Sequence, residues 1–488
     1  MCGIIGIYNF TGENIVKTAA IGLLGVQNRG HEGAGLAFFD DHAFRSFKEF
    51  GYAHELFKDK ELYNGNINLK DVVGATRYST QGGTDKNNLQ PHTVRNIVLV
   101  HNGNLINTHE LRPRYDKRFG GEYDLQGTTD SELLAAIFAD STDLIEGAEK
   151  CAREALGGYS IIVMNDRGEM LLAKDPQGFW PLVYGKHNGT FYAASETSTL
   201  QTWGFRNAEI HHIQQGEYVF LDSKAPLDAE QIKTNRVGVV RESTPCYFND
   251  IYFGRPSSVN GSKSNHFIRK ELGRIHARRD REEGIRADAV VPIMHSGLSY
   301  AVGYAQESGY PLDTLLDINH SIGRIYISPD GKGEDSYLGL TLTRDELTRI
   351  KHVPMEPELG GKRIVLTDDS IIRSVACNAL VEELFNAGVA EIHLRIGSPP
   401  IRYPCAYGQD FSTRRELAAA SAEKEIGSGE QGLIEEYLAN ALHVTSLRYS
   451  TIEDLKKTAG RGICTACLDG SYKPELPDTA QFRNALAL

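Results

Sequence analysis

A chain of 488 residues is long enough for two or three domains of ordinary size, each with its own core. With 41% hydrophobic and 24% charged residues, and 49 glycines that follow no collagen-like period, its composition is that of a soluble globular protein. The net charge of −12 and the lack of a lysine/arginine cluster argue against nucleic acid, and no run of about 18 apolar residues offers a membrane span.

In chain order, the first part, to about residue 235, is dense in short β-like runs bounded by glycine or polar turns: "CGIIGIY", "GLAFFD", "IVLVHNG", "SIIVMND", "MLLAKD", "TFYAAS" and "GEYVFLD". Helical patterns are fewer, and "TDSELLAAIFA" is the clearest. Many strands with few helices predict an α+β domain of packed sheets. The polar segment "DSKAPLDAEQIKTNRVG" marks a boundary region. From about residue 285 strands and helices alternate: "AVVPIMHSG", "RIVLTDDS" and "EIHLRIGSP" each precede a helix or a turn. That order predicts a parallel, doubly wound sheet with ligands at the strands' C-terminal ends. The N-terminus lacks the charged and apolar regions of a signal peptide, so the expected location is the cytoplasm. Seven cysteines then read as nucleophiles, metal ligands or core residues rather than disulfides.

The chain begins Met1-Cys2-Gly3. A small second residue normally permits removal of the initiator methionine, which leaves Cys2 with a free α-amine of pKa about 8 to act as base for its own thiol. If Met1 stays, that amine is blocked. Alone, the feature equally suits a buried strand cysteine. Four polar motifs accompany it: "NRGHEGAG" (Asn28–Gly35), "TRYSTQG" (Thr76–Gly82), "HNGNL" (His101–Leu105) and "TTDSE" (Thr128–Glu132). Together they resemble a class II, N-terminal-nucleophile (Ntn) glutamine amidotransferase domain. The resemblance implies Cys2 as nucleophile, with Asn102 and the Gly103 N–H as oxyanion hole. Arg77 would grip the glutamine α-carboxylate and Asp130 its α-ammonium, while Arg29 and Gly30 match the loop over the glutamine.

The second half decides what such a glutaminase serves. No Ser-Gly-Gly-x-Asp-Ser loop is present, which disfavours an asparagine synthetase. "PCYFNDIYFGRPSS", "GYAQESGYP", "GKRIVLTDDS" and "GSPPIRYPCAYGQDFSTRREL" together resemble the amidophosphoribosyltransferase family. The resemblance spans nearly the whole chain. It implies an Ntn glutaminase domain at 1–235 and a phosphoribosyltransferase-type α/β domain with a cluster-binding C-terminal segment at 236–488. It also implies a homodimer or homotetramer that uses glutamine and phosphoribosyl pyrophosphate (PRPP).

Spacing alone shows a Cys-x-x-Cys pair, Cys464 and Cys467, plus the distant Cys246 and Cys405, a set that fits zinc as well as iron–sulfur. In one branch of the family these positions hold a 4Fe–4S cluster. Cys151 and Cys377 match no ligand position and read as inert thiols. In the acidic turn, Asp368 and Asp369 would meet the ribose hydroxyls of PRPP, partly through Mg²⁺, with Ser370 through Arg373 also matching. Taken alone, Asp-Asp-Ser is also a good helix N-cap. The family continues Gly-Thr-Thr around the 5′-phosphate, where this chain has Ser374-Val375-Ala376. Two lost hydroxyls to a charged group cost about 3–6 kcal/mol, roughly a hundred- to ten-thousandfold in affinity. In "LDINHSIGRIYI", Gly323 and Arg324 remain, but Ile318 and His320 replace two cations of the loop that closes over the pyrophosphate. Arg349 and Lys351 match a later basic pair. A paralogue with an intact glutaminase and a different ammonia acceptor, or a non-catalytic sensor of a nucleotide or sugar phosphate, therefore stands beside ordinary PRPP use.

Overall fold

The computed structural model describes residues 1–10, 14–40, 42–63, 69–79, 81–120, 125–222, 232–239, 241–325, 334–337 and 340–487. Tyr326 and Ile327, and the side chains of Val375 and Ala376, lie outside the described residues.

The expected strands of the first half form two antiparallel sheets. The seven-stranded sheet centres on Gly3–Asn9, which pairs with Thr190–Ala194 on one side and Asp71–Arg77 on the other. The six-stranded sheet includes Ile97–Leu105, Gly157–Asn165, Met170–Lys174 and Glu217–Leu221. Alternation of side chains buries one face of each sheet against the other: Ile4, Tyr8, Val73 and Ala75 meet Val98, Val100, Ile162 and Leu172. The outer faces carry helices. Val16–Gly25 covers the first sheet through Ala19 and Leu23, and Asp130–Ala139 and Leu144–Glu154 cover the second. Of the polar boundary segment, Ile232–Arg236 is described, and it is the edge strand of the six-stranded sheet, so that sheet reaches one residue past 235.

In the second half, Ala289–Pro292, Arg363–Asp368, Glu391–Ile396 and Ser446–Tyr449 form a four-stranded, fully parallel sheet. Strand residues alternate between two helical layers. Val290 and Val365 face Ala277, Ala301 and Tyr304 of the helices Asn265–Glu282 and Leu298–Ser308. Val291, Leu366 and Leu394 face Leu384, Ile434 and Leu438 of Val375–Asn386 and Gln431–Ala441. A further core joins the halves: Met1, Tyr78, Ile106, Phe179 and Trp180 pack with Tyr247, Phe248, Ile251 and Tyr407. Within it the Trp180 indole donates to the Tyr407 carbonyl at 2.8 Å.

Candidate functional site

Cys2 sits at the mouth of the central strand of the first sheet, 7% exposed. Its N–H donates to Asn102 Oδ1 at 3.1 Å, which places the Asn102 amide against the nucleophile from the second sheet. The Nδ2 of that amide is buried without a hydrogen-bond partner among the described residues. An orphaned donor in a buried site costs free energy unless an acceptor arrives, which is what an oxyanion would be. Next to it, Gly103 has φ +153°, and a Cβ there would lie 2.0 Å from the Gly158 carbonyl. Only glycine lets the two strands approach so closely. The Cys2 thiol, which donates to the Tyr78 carbonyl at 3.7 Å, is pushed up by burial, against the pull of the chain-terminal amine. Met1 is fully buried over it, and burial with the nearby Arg29 charge holds its amine down to about 5, against the raising effect of Cys2.

Arg77 ends the strand Asp71–Arg77, and its guanidinium pairs with the buried Glu32 at 2.8 Å. It also donates to Ser79 Oγ and to the carbonyls of Gln81 and Gly83 at 3.2–3.4 Å, holding its own loop. Asp130 opens its helix, and Oδ2 accepts from the Leu105 N–H at 2.8 Å, so it lies beside the strand that carries Asn102 and Gly103. Arg29 departs from expectation. It is fully buried and held by protein groups: Nε donates to the Cys2 carbonyl at 3.2 Å and Nη1 to Glu196 at 2.6 Å and Asn249 at 3.0 Å. Its place is behind the nucleophile, because a buried cation is stable only where a carboxylate meets it. Gly30 packs against the Arg77 backbone, where a Cβ would meet its carbonyl carbon and oxygen at 2.4 Å. Sequence reasoning missed Gln90, whose Nε2 reaches Cys2 Sγ at 3.4 Å, and Glu196, and it gave no role to Glu32 within the motif "NRGHEGAG".

The second cleft opens at the C-terminal ends of the parallel strands and holds about 1350 Å³ of space not filled by atoms, including the part open to solvent. Arg269, Arg324, Lys351, His295, His352, Asp368, Asp369 and Ser370 line it. The Ser296 hydroxyl and the Asp369 N–H donate to Asp368 Oδ1 at 2.7 and 2.8 Å, and Ser370 Oγ donates to Asp369 at 2.6 Å. Burial raises both carboxyls, and for Asp368 the neighbouring Asp369 charge adds to it. Two adjacent buried carboxyls suit a hard divalent cation, which restores their ionised form.

The cations of this cleft are held by the protein. Arg324 donates to the Phe253 carbonyl at 3.1 Å and lies 4.9 Å over the Tyr252 ring, and Lys351 Nζ donates to the Gly323 carbonyl at 2.6 Å. The Arg373 guanidinium is turned to Glu416 at 2.8 Å and to the Asp410 carbonyl at 2.9 Å, away from the acidic pair. Arg349 points outward to Glu382 and Glu383 at 2.8 and 3.1 Å, so it is a surface pair rather than part of the cleft. His320 stacks on His295 with ring centroids 5.8 Å apart. Ser374 has φ +57° at the N-cap of the helix Val375–Asn386, a left-handed conformation that favours glycine.

Cys246, Cys405, Cys464 and Cys467 line one small cavity, walled by Phe179, Trp180, Tyr247, Phe248 and Tyr407. A parallel bridge joins Cys246 to Cys464. Among the described residues, no three His, Cys, Asp or Glu side chains are gathered as ligands of a single metal ion. Burial raises the Cys246, Cys464 and Cys467 thiols, and their mutual charges with Cys405 raise them further. Cys151 is fully buried, and Cys377 lines the acidic cleft with its thiol pushed up by burial to about 12.

Comparison with known proteins gives one family match, a glutamine amidotransferase domain over residues 76–202. The amidophosphoribosyltransferase of Methanocaldococcus jannaschii is 35% identical over 500 residues, covering 98% of each chain. The solved structure of a glutamine PRPP amidotransferase from B. subtilis, complexed with ADP and GMP, superposes with a TM-score of 0.79 at 30% identity over 98% of both chains. A second solved structure, described as the allosteric regulatory enzyme of purine biosynthesis, reaches 0.81 at 30% identity, over 100% of this chain and 99% of that one.

Proposed function

The chain belongs to the amidophosphoribosyltransferase family, and from that premise we propose how its residues divide the work of a glutamine-dependent amidotransferase. The reaction is PRPP plus glutamine plus water giving phosphoribosylamine, glutamate and pyrophosphate, in purine biosynthesis. The observation that carries the assignment of residues is the buried, partnerless Asn102 Nδ2 beside Cys2. Cys2 Sγ attacks the carboxamide carbon once Met1 has been removed, with its own α-amine taking the proton. The oxyanion rests on Asn102 Nδ2 and the Gly103 N–H. As the intermediate collapses, the C–N bond breaks, ammonia leaves, and water hydrolyses the thioester to glutamate. Arg77 exchanges its loop carbonyls for the glutamine α-carboxylate, Asp130 takes the α-ammonium, and Arg29 acts from behind Cys2.

Residues 1–235 carry the glutaminase and 236–488 the acceptor half in this reading. Asp368, Asp369 and Ser370 face the ribose hydroxyls, Arg324 and Lys351 the anionic groups, and Arg373, at the wall of the cleft, braces the loop through Glu416. Mg²⁺ held by Asp368 and Asp369 supplies charge neutralisation, and the raised carboxyls fit it. Cys246, Cys405, Cys464 and Cys467 would hold the 4Fe–4S cluster. Four thiols lining one cavity, with only aromatic residues, Ala466 and Gln409 beside them, support an all-thiolate site of the kind that an iron–sulfur cluster takes. Its contribution is to bind chain segments together. Cytoplasmic location and assembly into a homo-oligomer complete the proposal.

One observation favours a second reading, in which another phosphorylated acceptor replaces PRPP: the left-handed Ser374 where the phosphate loop wants glycine. A single assay separates them. Purified protein is given PRPP, Mg²⁺ and glutamine while glutamate and pyrophosphate are followed together. Release of both supports PRPP use, glutamate without pyrophosphate supports another acceptor, and a folded protein that releases neither overturns the assignment.

A further inference from the structure

Glu196, which no motif singles out, is 2% exposed, and its two carboxylate oxygens serve different halves of the chain. Oε1 accepts from Arg29 Nη1 at 2.6 Å and from Asn28 Nδ2 at 3.0 Å, both in the loop behind the nucleophile. Oε2 accepts from the Arg255 N–H at 2.9 Å and Ser258 Oγ at 2.8 Å in the second half, and from Ser198 Oγ at 3.2 Å. Burial opposes the charge, yet Arg29, the Arg255 amide and Ser258 outweigh it and hold the carboxyl at about 2.

Each arm leads to a reacting centre. On the Oε1 side, Arg29 Nε supports the Cys2 carbonyl at 3.2 Å. On the Oε2 side, Arg255 and Ser258 end a segment whose Tyr252 and Pro256 line the acceptor cleft. The carbonyls of that segment also hold cations of the cleft. Phe253 accepts from Arg324 at 3.1 Å, and Asp250 and Gly254 accept from Arg269 at 2.9 and 2.7 Å. Asn28 closes the circuit, donating to the Phe253 carbonyl at 3.1 Å and accepting from Arg255 Nε at 3.2 Å.

We propose that Glu196 is a positioning residue for the glutamine reaction: it holds Arg29 against the Cys2 carbonyl and fastens that nucleophile turn to the wall of the acceptor cleft. The inference rests on the glutamine-dependent reading given above. A carboxylate is required because every contact on both sides is a donor. Glutamine has the same shape but one acceptor and one amide donor, so it can satisfy one half only.

The test is Glu196→Gln in the full chain, measured for glutamine-dependent and ammonia-dependent pyrophosphate release from PRPP and for the pH profile of glutamine hydrolysis. The expected result is ammonia-dependent turnover within about twofold of wild type and glutamine-dependent kcat at least about tenfold lower, with glutamine KM little changed, because a misplaced nucleophile loses rate rather than binding. The uncompensated Arg29 charge also disfavours protonation of the nearby amine, so the acid limb of the profile moves to lower pH. Wild-type glutamine kinetics, or equal loss of both activities, overturns the proposal. Should this variant not fold, Ser258→Ala removes one donor from the Oε2 side, and the same split is expected at about threefold or more. Wild-type protein that hydrolyses no glutamine overturns the functional reading and this inference with it.

Discussion

The two reacting centres are built in opposite ways. Around Cys2 the groups come from strand interiors and helix starts, and nearly all of them are buried with their partners in place: Asn102 on the Cys2 N–H, Gln90 on its sulfur, Arg77 on Glu32. The acceptor cleft is assembled from loops at strand ends, and its cations rest on backbone carbonyls or on carboxylates outside the cleft. A buried, prewired centre can present an oxyanion hole without reorganising. A cleft of parked cations must exchange protein contacts for those of its ligand, so part of its binding free energy is spent on that exchange.

The comparison can be broken most sharply at Cys2. Cys2→Ala is expected to cut glutamine hydrolysis by about a thousandfold or more while ammonia-dependent pyrophosphate release persists. Mass spectrometry of the active protein should show a chain that begins at Cys2, and activity with Met1 retained counts against the amine as base. Next in size is the oxyanion hole. Asn102→Ala should lower kcat for glutamine by about a hundred- to a thousandfold, with KM changed far less. In the acceptor half the direction reverses, since there a substitution should improve the site. Ser374→Gly with Val375→Thr and Ala376→Thr is expected to lower the KM for PRPP by about tenfold or more, read from pyrophosphate release. An unchanged KM would show that the loop does not hold the 5′-phosphate.

The smallest effect concerns pH. Burial, with the Arg324 charge beside it, lowers the Lys351 ammonium to about 8. A lowered lysine is charged below that value and neutral above it, so the KM for PRPP should rise as pH passes upward through about 8. Lys351→Arg, which stays charged, should flatten that rise. A rise that survives in the variant belongs to another group.

The strand-rich first half and the alternating second half are legible because many strands carry their own signal, as in the continuous apolar runs of "SIIVMND", "AVVPI" and "RIVL". Cys2, Asn102, Gly103 and Asp130 were legible as short motifs, and the fold brings them together. What could not be read is the direction in which a long side chain turns once the tertiary structure closes. The motif places Arg29 in the loop over the glutamine, while Glu196, 167 residues away, holds its guanidinium behind the nucleophile. Arg349 and Lys351 form one basic pair in sequence, yet at the end of one helix they point to opposite environments. The contacts of Gln90 with Cys2 at 3.4 Å and of Glu32 with Arg77 at 2.8 Å leave no local signal, because each joins residues far apart in sequence.

The chain has two tryptophans, and the shared core places one of them where it can report. Trp180 forms part of the wall of the four-cysteine cavity, while Trp203 donates to Thr18 at 3.0 Å and packs over the helix Val16–Gly25. An occupant of that cavity touches the first indole directly and not the second, so loading the cysteines is expected to quench the emission of Trp180 first.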